Sequence, residues 1–243
     1  IFKLNQIFIK KYYKNSKYLI LLNNYSKIKM FDKNKFKKIN GKIISALNLA
    51  FISYDYKYKL RTHKYLFWPD GMFSYYIVNK KKKPGRIYFI NILKSLNQNK
   101  KKYKKIYVLG NLPNTSNTWL KKNLKHTFEH RNFPFVKINN IKSTTNRIKL
   151  MSDSLIILTL PTPKQELVGN VLLNKYPKNN IICIGGSINI LSGLEKQAPY
   201  FFYVFSLEWL WRLKFDTARR FKRLFESTYL YFKLLIERKN NIF

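Results

Sequence analysis

Leu155-Ile156-Ile157-Leu158-Thr159-Leu160-Pro161-Thr162-Pro163-Lys164-Gln165-Glu166 is the stretch that decides the fold. An apolar run without polar alternation suits a buried strand, and the two prolines that follow break it. From Lys164 to Asn174 the spacing turns helical, so a strand over 155–160 and a helix over 164–174 are predicted. The same unit recurs on both sides. Upstream, Ile43–Leu47 reads as a strand and 48–58 as a helix. Tyr65–Trp68 reads as a second strand, stopped by Pro69-Asp70-Gly71, with Met72–Asn79 helical. Ile106–Leu109 is a strand closed by Gly110, and Thr115 or Ser116 caps a helix running to about Phe128. Phe135–Ile138 reads as a strand and Asn146–Ser152 as a short helix. Downstream, Ile181–Ile184 is a strand ended by Gly185-Gly186. Strands alternating with helices imply βαβ units and an α/β, Rossmann-like, mostly parallel sheet flanked by helices. Right-handed crossovers then place the loops after the strands on one edge, where open sheets bind ligands. Asp70, Gly110, Lys164 and Gly185-Gly186 all follow strands and are expected to line one crevice.

The periodicity changes at Pro199. Residues 200–236 show helical spacing only, with Phe221, Leu224, Phe225, Thr228, Tyr229, Phe232 and Leu235 recurring near 3.6. The expected organisation is an N-terminal extension over 1–40, a catalytic α/β domain over 41–198 and a C-terminal helical appendage over 199–243.

The chain has 243 residues with 46% apolar content, enough to bury a real core, so it is not a disordered basic tail. Its formal net charge of +37 fits an anionic partner, but the excess of Lys, Asn, Ile, Tyr and Phe is also what A/T-rich codons write. The lysines spread along the whole chain, so codon drift takes the larger share. The one cysteine, Cys183, sits in an apolar run, which excludes a disulfide framework and a cysteine metal cluster. Of the three histidines only His126 and His130 are near each other, and they read as a solvated surface pair. No eighteen-residue apolar stretch exists, so no spanning helix is expected.

Three segments together resemble a known family. They are Pro163-Lys164-Gln165-Glu166; Gly185-Gly186 followed by Ser192-Gly193 and Ala198-Pro199; and Glu208-Trp209-Leu210-Trp211-Arg212-Leu213 with Arg219, Arg220 and Arg223 beyond. In order and spacing they resemble the WecG/TagA/CpsF family, glycosyltransferase family 26. Trp68-Pro69-Asp70-Gly71 and Tyr107-Val108-Leu109-Gly110 look like its strand-end Asp-Gly and its central strand. The resemblance implies inverting, metal-independent transfer of a hexose such as N-acetylmannosamine or its uronic acid from a UDP-sugar. The acceptor it implies is N-acetylglucosamine on undecaprenyl diphosphate, in the synthesis of a cell-surface polysaccharide such as teichoic acid or exopolysaccharide. It also implies no cofactor, and a peripheral protein on the cytoplasmic face of the plasma membrane; homo-oligomerisation stays open.

An inverting transfer needs a base for the acceptor hydroxyl. The resemblance assigns that role to Asp70; without it, a helix N-cap is the better reading. No Asp-x-Asp metal motif occurs, so the leaving diphosphate must rest on main-chain amides near Gly110 or Gly185-Gly186, helix N-termini and basic side chains. Gly71, Lys164, Gln165 and Glu166 are further donor-site candidates. Arg86 matches a family arginine or is one more surface cation. Asn48 matches a family asparagine or is a plain N-cap. Arg212, Arg219, Lys222 and Arg223 are the acceptor-diphosphate candidates, because arginine forks suit a diphosphate. Positions 212 and 219 share a face if one continuous helix carries both. Phe201, Phe202, Phe205, Trp209 and Trp211 beside them suit an anionic membrane surface.

The pattern is broken at several positions. The family's threonine becomes Ala46, a glycine becomes Phe89, two aspartates become Asn91 and Asn189, an arginine becomes Gln197 and a proline becomes Thr217. These changes fit a different sugar or a decayed enzyme. The rivals are a non-catalytic member acting as a scaffold and a basic nucleic-acid-binding protein; no nucleic-acid motif is present, so no nucleic-acid partner is expected.

Overall fold

The computed structural model describes residues 31, 39–60, 63–70, 87–98, 103–204, 208–214 and 217–240. Six strands form one sheet: β1 (Ile43–Leu47), β2 (Tyr65–Pro69), β3 (Ile106–Leu109), β4 (Phe128–Arg131), β5 (Leu155–Leu158) and β6 (Asn180–Cys183). Their order is β2-β1-β6-β5-β3-β4 and every pairing is parallel. The Rossmann-like α/β architecture expected from the sequence is therefore present. Parallel strands have helices on both faces, and β3, β5 and β6 are buried at every position, which is why they read as unbroken apolar runs.

Nine α-helices accompany the strands among the described residues: α1 (Leu49–Tyr58), α2 (Ile87–Asn97), α3 (Asn114–Asn123), α4 (Ile141–Asn146), α5 (Lys164–Lys175), α6 (Ser187–Leu191), α7 (Tyr200–Val204), α8 (Glu208–Leu213) and α9 (Thr217–Asn240). Alternation along each strand sorts the core into two layers. Ile43, Leu47, Leu109, Ile156, Leu158 and Ile181 face α1, α4, α5 and α9. Ile44, Ile106, Val108, Leu155, Ile157 and Ile182 face α2, α3 and α6. α3 follows β3 and α5 follows β5, yet they lie on opposite faces. The adjacent strands β3 and β5 thus define a topological switch point, where the carboxyl edge of the sheet opens a crevice.

Several expected elements are displaced. The strand predicted at 135–138 is instead β4 at Phe128–Arg131, and Phe135 is almost wholly exposed. β4 was hidden because it is a half-buried edge strand with the polar sequence Phe-Glu-His-Arg. The helix expected at 146–152 lies at 141–146. α3 begins after Pro113 and ends at Asn123, so neither Thr115 nor Ser116 caps it. α2 was not anticipated, and the helix expected at 72–79 lies outside the described residues. Of the N-terminal extension, Phe31 is buried and its N–H donates to the Phe67 carbonyl on β2 at 2.7 Å.

The C-terminal segment is helical, as its spacing predicts, but it is not one continuous helix: α8 ends at Leu213 and α9 begins at Thr217. The shared-face argument for Arg212 and Arg219 fails with that break. α9 also presents a different face to the core from the one its aromatics suggest. Ser227, Leu230 and Leu234 are buried against the domain. Phe221, Phe225, Tyr229, Phe232 and Ile236, spaced three or four apart, are all more than half exposed. Polar contacts fix the docking. Ser53 Oγ donates to the Ser227 carbonyl at 2.6 Å, Tyr54 Oη to Glu226 at 2.8 Å, and Tyr56 to Glu237. Burial and the Glu226 carboxylate push the Tyr54 hydroxyl well above its ordinary value, so it stays a donor.

The two stripes predict opposite outcomes. Leu234→Ala is expected to cost about 2–5 kcal/mol in chemical denaturation, as for other buried leucines. Phe225→Ala is expected to change stability by less than about 0.5 kcal/mol.

Candidate active site

β1 and β2 supply one half of the site. Asn48 follows β1 and caps α1, its Oδ1 accepting from the Phe51 N–H at 3.0 Å. The same amide uses its Nδ2 to donate to Asp70 Oδ2 at 3.1 Å. Asp70 follows β2 and is half-buried, and its N–H donates to the Leu47 carbonyl at 3.0 Å. A carboxylate is thus held at the carboxyl edge by a side chain that is itself fixed by a helix cap. Asn48 is a helix cap, as its plain reading had it, and also a hydrogen-bond donor to Asp70. Asp70 is not sealed in the core, nor on the opposite edge.

β5 and β6 supply the other half. Gln165 is buried at the start of α5; its Oε1 accepts the Gly185 N–H at 3.0 Å, and its Nε2 donates to Thr162 Oγ1 at 3.1 Å and Glu166 Oε1 at 2.9 Å. Gly185 sits at φ +52, and Gly186 follows with open space above it. β6 lies two strands from β2, so the Asp70 and Gly185 backbones are separated by about 10 Å along the edge. Glu166 is fully buried, with Ser45 Oγ donating to it at 3.1 Å and Thr162 Oγ1 at 3.2 Å. Burial raises its carboxyl above the ordinary carboxylate value, and the hydrogen bonds from Gln165, Ser45 and Thr162 oppose that rise. Burial likewise pushes up the neighbouring Cys183 thiol, which fits an inert core cysteine.

Gly110 ends β3 at φ +122, and a Cβ there would stand 2.5 Å from Thr159 Oγ1. Its carbonyl accepts from His130 Nε2 at 2.9 Å, while His126 Nε2 donates to the Leu96 carbonyl at 3.0 Å. The histidines are therefore not a solvated surface pair. Lys164 turns toward the loop after β4: its Nζ donates to the Val136 carbonyl at 2.7 Å and lies 4.3 Å from the centre of the Phe135 ring. This leaves an exposed aromatic ring beside the α5 N-terminus, which no pattern in the sequence marked.

The cations of the C-terminal segment are placed unequally. Arg220 ion-pairs with Glu195 at 2.8 Å, and Trp211 Nε1 donates to the Lys196 carbonyl at 3.4 Å. Both contacts tie the helical segment to the stretch that follows α6, and hence to the Gly185-Gly186 end of the crevice. Lys222 and Arg223 are exposed on α9's first turns. Arg212 and Arg219 lie on α8 and α9, their side chains outside the described set, and Gly71 and Arg86 lie outside the described residues altogether. Two of the departures noted above are absorbed structurally. Phe89 fills the core from α2, and Asn189 Oδ1 accepts from the buried Ser116 Oγ at 3.1 Å. Among the described residues, no three His, Cys, Asp or Glu side chains gather in a metal-binding group.

Comparison with known proteins decides the affiliation. The family model described as glycosyl transferase WecG/TagA/CpsF family matches residues 34–242. The chain belongs to that family. A protein of Bacillus spizizenii named N-acetylglucosaminyldiphosphoundecaprenol N-acetyl-beta-D-mannosaminyltransferase is 29% identical over 97 residues, covering 37% of this chain and 38% of that protein. A Staphylococcus aureus protein of the same name is 31% identical over 78 residues, covering 32% of this chain and 31% of the relative. The matched stretch thus spans only about a third of the length of these relatives. In this member of the family, Asp70 and the Pro-Lys-Gln-Glu and paired-glycine segments all fall at the carboxyl edge of one sheet.

Two measurements check this geometry. Asn48→Ala is expected to lose about 1 kcal/mol of stability, whereas Asn48→Ser, an equally good cap too short to reach Asp70, stays within about 0.5 kcal/mol. For Glu166 the folded-state carboxyl is raised, so the native state holds its proton more tightly than the unfolded chain does. Its stabilising contribution is full below the ordinary carboxylate value near 4.5 and is lost as pH rises through the folded value. The stability of the protein relative to its Glu166→Gln variant is therefore expected to fall with rising pH across that window, read by denaturation at stepped pH.

Proposed function

We propose that this chain is an inverting glycosyltransferase. It moves a hexose, N-acetylmannosamine or a relative of it, from a UDP-sugar to N-acetylglucosamine carried on undecaprenyl diphosphate, in cell-surface polysaccharide synthesis. The observation that carries the reading is the Asn48–Asp70 pair at the carboxyl edge, at about the length of a sugar-diphosphate from Gly185. Asp70 Oδ1 or Oδ2 takes the proton of the acceptor hydroxyl as that oxygen attacks the anomeric carbon and the bond to the UDP oxygen breaks. Asn48 orients the carboxylate. Because the N–H of Gly110 is taken by the Arg131 carbonyl and that of Gly185 by Gln165 Oε1, the main-chain donor that faces the leaving diphosphate, whose charge needs fixed donors, is the N–H of Gly186. Lys164 and Gln165 belong to the donor end of the same site, with Glu166 buried behind them, and the family resemblance adds Gly71 and Arg86 as donor-site residues. The names of the relatives support the acceptor class.

Lys222 and Arg223, with Arg212 and Arg219, form the acceptor-diphosphate end. The exposed stripe Phe221, Phe225, Tyr229, Phe232 and Ile236, with Tyr200 and Phe201, faces an anionic membrane on the cytoplasmic side as a peripheral contact. No helix among the described residues is long and apolar enough to cross a membrane. Transfer proceeds without a metal ion, with the protein's amides and cations standing where a metal would.

The test is an assay of UDP release from a panel of UDP-sugars, using a short-chain prenyl-diphosphate N-acetylglucosamine acceptor. Turnover is expected to survive EDTA. Asp70→Asn is expected to lower kcat about a hundredfold or more, the usual worth of a general base. Wild-type protein that turns over no donor, or Asp70→Asn with full kcat, would sink the reading. Truncating the C-terminal helix is uninformative for membrane contact because it uncovers the core around Leu230 and Leu234. Phe225→Ser combined with Phe232→Ser is expected instead to release the folded protein from anionic vesicles in a sedimentation assay.

A further inference from the structure

Glu166 is too deeply buried to touch a donor sugar, with only 1% of its surface exposed. Yet its Oε1 is the convergence point of three side-chain donors from three parts of the chain: Ser45 on β1, Thr162 in the loop after β5, and Gln165 on α5. The donors also bond one another. Gln165 Nε2 gives one hydrogen to Thr162 Oγ1 and the other to Glu166 Oε1, while Thr162 Oγ1 passes its own hydrogen to the same Oε1. The ring closes only when the Gln165 amide points its nitrogen toward Glu166. Its oxygen then faces the other way, where it accepts the Gly185 N–H.

We propose that Glu166 is a positioning residue that fixes the rotamer of the Gln165 amide and, through it, the Gly185-Gly186 turn that holds the donor diphosphate. Without an acceptor at Oε1, the Gln165 amide loses one of the three contacts that orient it, leaving those with Thr162 Oγ1 and the Gly185 N–H. A flipped amide would present its NH2 to the Gly185 N–H, two donors facing each other in a buried site. Gly185 is sensitive to this because, among the described residues, its N–H is shared between Gln165 Oε1 at 3.0 Å and the Leu158 carbonyl at 3.2 Å, so the side-chain contact is the shorter of the two at a left-handed φ. The second carboxyl oxygen, Oε2, is buried and has no hydrogen-bond partner, so Glu166 serves as an acceptor through one oxygen alone. A glutamine at 166 supplies that oxygen equally well; a leucine supplies none.

The donor half of this inference rests on the glycosyltransferase reading, and the latch itself does not. The test therefore has two arms on the full chain. In the free protein, hydrogen exchange at the Gly185 amide is followed relative to the Ile182 amide on β6. Glu166→Leu is expected to speed the ratio about tenfold, the worth of one lost hydrogen bond, while Glu166→Gln stays within about twofold. In the assay, Glu166→Leu is expected to raise the donor KM about tenfold and leave the acceptor KM unchanged, with Glu166→Gln again close to wild type. A folded Glu166→Leu protein with an unchanged exchange ratio overturns the latch, and so does a Glu166→Gln protein that behaves like Glu166→Leu. If Glu166→Leu does not fold, Thr162→Val breaks the same ring more gently. A faster Gly185 ratio in it supports the latch and an unchanged one overturns it. Intact exchange effects in a protein without turnover sink the enzymatic reading and leave the latch standing.

Discussion

The pairing of β1 with β6 is the contact on which the rest of the molecule depends. It sets Ile43, Ile44 and Ser45 beside Ile181, Ile182 and Cys183, from the two ends of the α/β region. It joins the β2-β1 pair to the β6-β5-β3-β4 block in a single sheet. Because all six strands are parallel, every strand then ends on the same edge, and residues scattered from 48 to 186 reach one crevice. The pairing is stabilised chiefly by burial on both faces, since each strand of it is fully covered. A side-chain tie at the opposite edge adds register: Asn180 Oδ1 accepts the Lys42 N–H at 3.1 Å and its Nδ2 donates to the Ile39 carbonyl at 2.8 Å.

The site built on that edge handles its polar groups in two ways. At Asp70 the carboxylate is half-buried at the edge of the sheet, with Asn48 Nδ2 donating to it. At Glu166 the carboxyl is sealed and surrounded by neutral donors, an arrangement suited to fixing neighbours rather than to chemistry. The contrast follows from depth: Asp70 lies beyond the end of its strand, whereas Glu166 lies in the first turn of α5, turned under the sheet face that carries Ser45. Buried polar networks of this kind specify geometry only when each member has a partner, which is the state of Gln165 and of Oε1 of Glu166.

The C-terminal helix shows how packing and surface chemistry share one element. Its buried line of Ser227, Leu230 and Leu234 is narrow and uses small or aliphatic groups against α1. Its bulky aromatics are left outside, beside Lys222 and Arg223. A helix that buries its smaller apolar line and exposes its larger one carries an apolar stripe on its surface, and the proposed membrane contact rests on that stripe. The Arg220–Glu195 ion pair aligns the start of this helix with the stretch that follows the paired glycines.

Several features were legible in the sequence. Apolar runs marked β1, β2, β3, β5 and β6, all but the first ended by Gly or Pro, because strands buried on both faces admit little else. The placement of Asp70, Gly110, Lys164 and Gly185 after strands followed from those runs. β4 and α2 were not legible: the first is a half-exposed edge strand of mixed polarity, and the second begins within a lysine-rich stretch that masks its helical spacing. Tertiary structure alone decided which line of α9 faces the core, because aromatic periodicity reports an apolar face without saying what covers it. It alone showed that Asn48 serves both a helix and Asp70. It alone revealed that Gln165 and Glu166, neighbours in a polar helix start, turn inward to meet Gly185 across 20 residues of chain and Ser45 across 121, partners set by strand pairing. Local spacing fixes an element's type; only the order in which the strands pair determines which side chains can reach one another.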